Sequence, residues 1–177
     1  MFYTSTRDKS VRITAAEAIA KGISSEGGLF VPTEIPAISA GFIEKLVPMS
    51  YIERAKEVLR LYLTDFTEDE LSMCVEGAYK AGKFSSDKVA PLYKLSDTAN
   101  VLELWRGPTC AFKDMALSIL PYLLVTSAKK NNVKISAPIL LDNPKYKNEK
   151  LVLLERLMTN ENVNGDLSDT ITVCKAE

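Results

Sequence analysis

Trp105-Arg-Gly-Pro-Thr-Cys-Ala-Phe-Lys-Asp-Met-Ala116 compresses a strand end, a Gly-Pro turn and a helix start into one short stretch. Just before it, Pro91-Leu-Tyr-Lys-Leu95 and Val101-Leu-Glu-Leu-Trp105 are short β-rich runs. Ser96-Asp-Thr-Ala-Asn100 separates them and reads as a hairpin turn. Just after it, Met115, Ile119, Leu120, Leu123 and Leu124 recur at helical spacing and predict a helix over 112–130 with those residues on its buried side. Pro121 inside that helix predicts a kink or a break. Strand, turn and helix in this order make the second part of the chain α/β. Ligand sites of α/β proteins collect at such junctions, because the N–H groups of a helix start lack partners and point outward.

Toward the N-terminus the pattern is helical. Thr14-Ala-Ala-Glu17, Ser50-Tyr-Ile-Glu53 and Thr67-Glu-Asp-Glu70 each have the spacing of a capping box. The first helix ends at Gly22 and puts Ala15, Ala18 and Ile19 on one face. The second box opens a stripe of Ile52, Ala55, Leu59 and Tyr62. The third opens Leu71, Val75 and Ala78, with Gly82 as its stop. A further helix starts near Ser39, carries Phe42, Ile43, Leu46 and Val47, and ends before Pro48. A short strand, Gly28-Leu-Phe-Val31, follows the turn at 24–28. This module offers packing rather than chemistry.

Toward the C-terminus, Ala137-Pro-Ile-Leu-Leu141 reads as a strand and Leu151, Leu154, Leu157 and Met158 as one face of a helix. The polar stretch from Thr159 onward, with Asn160, Asn162 and Asn164, reads as irregular or as a single weak strand at 171–173. The expected organisation is therefore a helical module over 1–85, a lysine-bearing α/β segment over 86–134, and a strand-helix-tail region over 135–177.

Composition narrows the function classes. The chain of 177 residues is 46% apolar and 25% charged, the balance of a globular protein with a core. Its 22 basic and 23 acidic residues nearly cancel, which argues against nucleic acid or an anionic membrane as partner. With no histidine, a Ser-His-Asp triad, a Cys-His pair and a His-ligated metal are excluded. Cys74, Cys110 and Cys174 show no CxxC spacing, so scattered thiols in a reducing cytosol are expected rather than a disulfide framework. The start MFYTSTRDKSVR lacks the apolar run of a leader peptide. The stretch 116–125 is about half the length of a bilayer span. A soluble, cytoplasmic protein is expected.

Lys113 is the residue that asks for chemistry. In the first turn of a helix the macrodipole disfavours a cation, and Phe112, Met115 and Trp105 are expected to add desolvation. Both would favour a neutral, nucleophilic amine. The plainer reading stands beside it, since most lysines at helix starts are solvated and idle. Asp114 reads as a first-turn dipole partner, Trp105 as core. Cys110 has no activating base within a chain that lacks histidine.

The segment Leu104-Trp-Arg-Gly-Pro-Thr-Cys-Ala-Phe-Lys-Asp-Met-Ala-Leu117 resembles the lysine motif of threonine synthases, which are fold-type II pyridoxal-phosphate (PLP) enzymes. Tyr3-Thr-Ser-Thr-Arg7, Ala16-Glu-Ala-Ile19 with Lys21-Gly22, and Glu26-Gly-Gly-Leu-Phe-Val-Pro32 resemble that family's opening in the same order. The resemblance implies an α/β chain, a helical N-terminal module followed by part of a fold-type II unit. It also implies that Lys113 is the catalytic lysine that anchors PLP, flanked by Phe112 and Asp114. The family's activity is conversion of O-phosphohomoserine and water to threonine and phosphate. Ser5, Thr6, Arg7, Arg106 and Thr109 become candidates for the substrate's phosphate or carboxylate, the arginines by charge and fork geometry.

Beyond about residue 134 the resemblance stops. The family pattern calls for a glycine-rich loop whose backbone amides hold the cofactor phosphate. Here Ile135-Ser-Ala-Pro-Ile-Leu-Leu-Asp-Asn-Pro144 follows instead, and no glycine lies between Gly107 and Gly165. The expectation is a truncated relative, less than half a complete enzyme, that keeps the anchor, lacks the clamp and is inactive alone. The alternatives are a non-catalytic domain acting through protein binding or self-association, and a piece that a complementing chain completes.

Overall fold

The computed structural model describes residues 1–133 and the short strands Ile135–Ala137 and Ile171–Val173. In chain order the elements are β1 (Tyr3–Ser5), α1 (Ala15–Lys21), β2 (Phe30–Pro32), α2 (Ala40–Leu46), α3 (Tyr51–Tyr62) and α4 (Glu68–Tyr79). They continue with β3 (Leu92–Lys94), β4 (Asn100–Leu102), a 3₁₀ turn (Leu104–Arg106), α5 (Asp114–Leu117), α6 (Leu120–Asn131), β5 (Ile135–Ala137) and β6 (Ile171–Val173). Among the described residues the strands pair in twos: β1 with β2 and β3 with β4 antiparallel, β5 with β6 parallel.

All three capping boxes form. Thr14, Ser50 and Thr67 each accept the N–H of the glutamate three residues on, whose carboxylate returns to the cap's own backbone. Each cap satisfies two donors that the helix cannot, and Gly22 at φ 72° supplies the left-handed stop of α1. Asp65, from the loop between α3 and α4, accepts a further N–H of α1, from Ala16 at 2.9 Å.

The core gathers around α4. Leu71, Cys74, Val75 and Ala78 on its inner face meet Leu63 of the α3–α4 connection, and Tyr122 and Leu123 of α6. α6 also packs along α1. At Gly77 the backbone of α4 lies directly against α6, since a Cβ there would strike the Tyr122 ring. Tyr79 ties α4 to α5, and Lys83 fastens the seam with α6. The Tyr79 hydroxyl donates to the Met115 carbonyl at 2.6 Å, and the Lys83 amine donates to the Gly77 carbonyl at 2.6 Å and the Tyr122 hydroxyl at 3.0 Å.

Several local expectations shift. The strand expected at 28–31 runs Phe30–Pro32, because its ladder follows the Tyr3↔Pro32 register. α4 ends at Tyr79, and Gly82 at φ 87° serves the turn beyond it. The second hairpin strand stops at Leu102, after which the chain winds into the 3₁₀ turn. The helix expected over 112–130 is broken into α5 and α6 at Ser118 and Ile119, two residues ahead of Pro121, which sits in the first turn of α6 where its missing N–H costs nothing. Leu120 is exposed, whereas Tyr122 and Val125 are buried in its place. The apolar stripe of α2 is only partly covered: Phe42 and Leu46 are half-buried, while Ile43 and Val47 are exposed. Of the regions beyond, strand β6 forms at 171–173; the rest of the expected strand after Ala137 and the helix at 151–158 lie outside the described residues.

Candidate functional site

The lysine segment folds as a tight loop wound on one carboxylate. Asp114 is 2% exposed and accepts both the Thr109 N–H at 2.8 Å and the Thr109 hydroxyl at 2.5 Å. Gly107 lets the chain pass against that side chain, because a Cβ there would collide with it. Cys110 takes a left-handed φ of 58° to make the turn, and its N–H donates back to the Gly107 carbonyl at 3.2 Å. Asp114 is therefore a structural anchor of the loop, and Thr109 is committed to it.

Lys113 stands at the outer rim. It precedes the single turn of α5, and its carbonyl accepts from Ala116 and Leu117. The side chain is exposed. Two of the apolar neighbours expected to desolvate it do not close over it: Phe112 is 65% and Trp105 47% exposed, so Trp105 is not core. A four-residue helix also carries little of the dipole that the sequence pattern promised. The two physical causes expected to activate the amine are thus weak or absent among the described residues.

The other candidates are occupied. Arg106 pairs with Glu103, its Nε donating at 2.7 Å, and the Arg106 carbonyl accepts from Ser85 at 2.8 Å. Ser5, Thr6 and Arg7 belong to a second, separate cluster. The fully buried Ser5 hydroxyl and Ser24 both donate to the Glu26 carboxylate, Ser24 at 2.7 Å. Thr6 accepts the Leu29 N–H at 3.0 Å, and the Arg7 guanidinium donates to the Glu26 carbonyl at 3.0 Å. Hydrogen bonds from Ser24 and then Ser5 hold the Glu26 carboxyl down at about 2. No hydrogen bond joins this cluster to the lysine loop among the described residues.

The sequence pattern passed over two groups. Glu26, the hub of the N-terminal cluster, showed only as part of the Glu26-Gly-Gly string. Lys83 is half-buried on the α4–α6 seam, where burial, and next the charge of Lys80, pull its amine down to about 8. A lysine just past a helix end was its one signal, since such a side chain can cap the last carbonyls.

Residues 2–79 match the family model described as Threonine synthase N terminus. The chain is 42% identical over 120 residues to the threonine synthase of Schizosaccharomyces pombe, covering 67% of this chain and 23% of that one. A solved threonine synthase from Brucella melitensis, described as PLP bound, superposes with a TM-score of 0.70 at 32% identity, over 76% of this chain and 29% of that one. The yeast threonine synthase structure gives 0.67 at 32% identity, over 74% and 27%. The chain carries a threonine synthase N-terminal portion. It spans about a quarter of the length of these relatives. The mixed helix-and-strand architecture expected from the lysine motif is that of these threonine synthases.

PLP needs more than an amine: its phosphate and ring must be held. The described residues offer Lys113 as an open anchor, but Arg106, Thr109, Ser5, Thr6 and Arg7 are each engaged within the chain. A cavity of about 220 Å³ lies between the start of α3 and residues 79–89, and none of the candidate residues lines it. These residues do not make a seat for the cofactor. Among them, no helix is long and apolar enough to cross a membrane, no cluster of metal-ligating side chains occurs, and Cys74 and Cys110 are free thiols.

Proposed function

We propose that this chain carries the anchor lysine of a threonine synthase, Lys113, without a working PLP site, and that alone it does not convert O-phosphohomoserine and water to threonine and phosphate. The observation that carries this reading is the exposed Lys113 beside a carboxylate, Asp114, whose two oxygens are already taken by Thr109. Catalysis of this kind requires the reacting groups to be fixed within fractions of an ångström, and a solvated amine fixes nothing. Phe112 and Asp114 are the neighbours that would flank the cofactor in a completed site, with Arg106 and Thr109 freed from Glu103 and Asp114 to meet an anion. Ser5, Thr6 and Arg7 would serve the substrate only if the Glu26 cluster opened.

The proposed division remains a helical module over 1–85, the lysine segment over 86–134 and a separate region over 135–177, in a cytoplasmic setting consistent with free thiols. The uncovered Leu92, Leu95 and Phe112 support association with a further polypeptide, either another copy or a complementing chain. Phosphate release from O-phosphohomoserine by the purified chain with PLP tests the proposal. The expected rate equals that of Lys113→Ala; release that this substitution abolishes would overturn it.

A further inference from the structure

The 220 Å³ cavity has a composition that the lysine loop lacks. Tyr51 and Tyr79 meet edge to face in its wall at a centroid distance of 5.0 Å, joined by Phe84 and Val89. Lys80 and Asp87 are the two charged residues among those that line it, and neither is in an ion pair among the described residues. An apolar hollow with a few polar groups of both signs is the usual form of a small-molecule site.

A second, independent feature sits in the same wall. Val89 is 3% exposed and has φ 61°, a left-handed value that a β-branched side chain avoids. The Ala90 N–H donates to the Lys88 carbonyl at 2.7 Å across it, closing a strained three-residue turn. The Val89 N–H donates to Ser86 at 2.9 Å, so the turn is held at both ends. Strain of this kind persists only where its surroundings enforce it, and it gathers at ligand clamps. Here it sets the side of the cavity that carries Ser86 and Asp87.

We propose that this cavity binds a small zwitterionic α-amino acid with an apolar side chain. The side chain lies against Tyr51, Tyr79 and Phe84, the carboxylate meets Lys80, and the ammonium group meets Asp87. A dry cavity of about 150 Å³ holds a benzene ring, so 220 Å³ holds an aliphatic or aromatic amino-acid side chain with room at the charged rim. Lys113 does not line the cavity, and binding there needs no cofactor.

Titration of the full chain with L-leucine and L-phenylalanine, followed by amide chemical shifts, tests it. The expected result is saturable binding, at a Kd of about 1 mM or tighter, with shifts confined to 50–52 and 79–90. Lys80→Met and Asp87→Asn should each weaken binding at least about tenfold, as loss of a charge-assisted hydrogen bond does. Phenylpropionate, which lacks the ammonium group, should bind the native chain more weakly than phenylalanine and the Asp87→Asn chain equally well. Absence of saturable binding, shifts elsewhere, or equal affinity of the native chain for phenylalanine and phenylpropionate would each overturn the proposal.

Discussion

The seam between α4 and α6 is closed, whereas the stretch from β3 to α5 is open. Cys74, Val75 and Ala78 have no exposed surface, and their contacts reach across the chain to residues of α6. In the hairpin, Leu92 and Leu102 face each other across the ladder on one side and are 66% and 51% exposed, while Tyr93 on the other side is 58% exposed. Both regions are rich in apolar residues and both fold locally as their sequence directs. The difference is in who covers them. The α4–α6 seam finds its partners within the described chain. The hairpin and lysine loop rest mainly on short-range hydrogen bonds, such as Thr109 to Asp114 and Leu95 to Ala99, and among the described residues their apolar side chains stay largely exposed.

Paired truncations should separate the two regions most strongly. Leu71→Ala removes a 2%-exposed side chain from the core and is expected to cost about 2–5 kcal/mol in urea unfolding. Leu92→Ala in the hairpin is expected to cost less than about 0.5 kcal/mol. Equal costs would mean that the hairpin is covered in solution and that the contrast is false.

That contrast also explains how far the sequence could be read. The capping boxes at Thr14, Ser50 and Thr67 were legible because such a cap is complete within four residues, satisfied by its own glutamate whatever the tertiary fold. The hairpin and the break near Pro121 were legible for the same reason. The exposure of Lys113 was not, because desolvation depends on what other segments do, and a motif shared with a family does not bring the covering segments with it. Asp65 capping α1 and Lys83 bridging α4 to Tyr122 span 49 and 39 residues, distances over which spacing carries no signal. The α2 stripe shows the converse: Ile43 and Val47 share the helical periodicity of the half-buried Phe42 and Leu46 but stay exposed.

Smaller effects should appear in the pH dependence of stability, with opposite placement. Glu26 titrates near its ordinary 4.5 when unfolded and at about 2 when clasped by Ser24 and Ser5. Its clasp is therefore fully stabilising above about pH 4.5 and is lost as pH falls toward about 2. Lys83 shifts in the same direction at the alkaline end, but there it is the charged form that the fold disfavours. Its folded value of about 8 lies below the ordinary 10.5, so the unfolded chain binds more protons between them and stability rises as pH climbs through that window. Glu26→Gln should flatten the acid limb of a stability profile, and Lys83→Met should flatten the alkaline one. A profile unchanged by Lys83→Met would remove the seam lysine from the account.

The proposal turns on Lys113 being an open amine with no seat for a cofactor among the described residues. Borohydride reduction of the full chain with PLP, followed by peptide mapping, asks this directly. The result predicted is modification of Lys113 at no greater yield than exposed lysines such as Lys88 and Lys94. Modification concentrated on Lys113 at equimolar PLP would contradict it, and would mean that the chain builds a cofactor site around that amine after all.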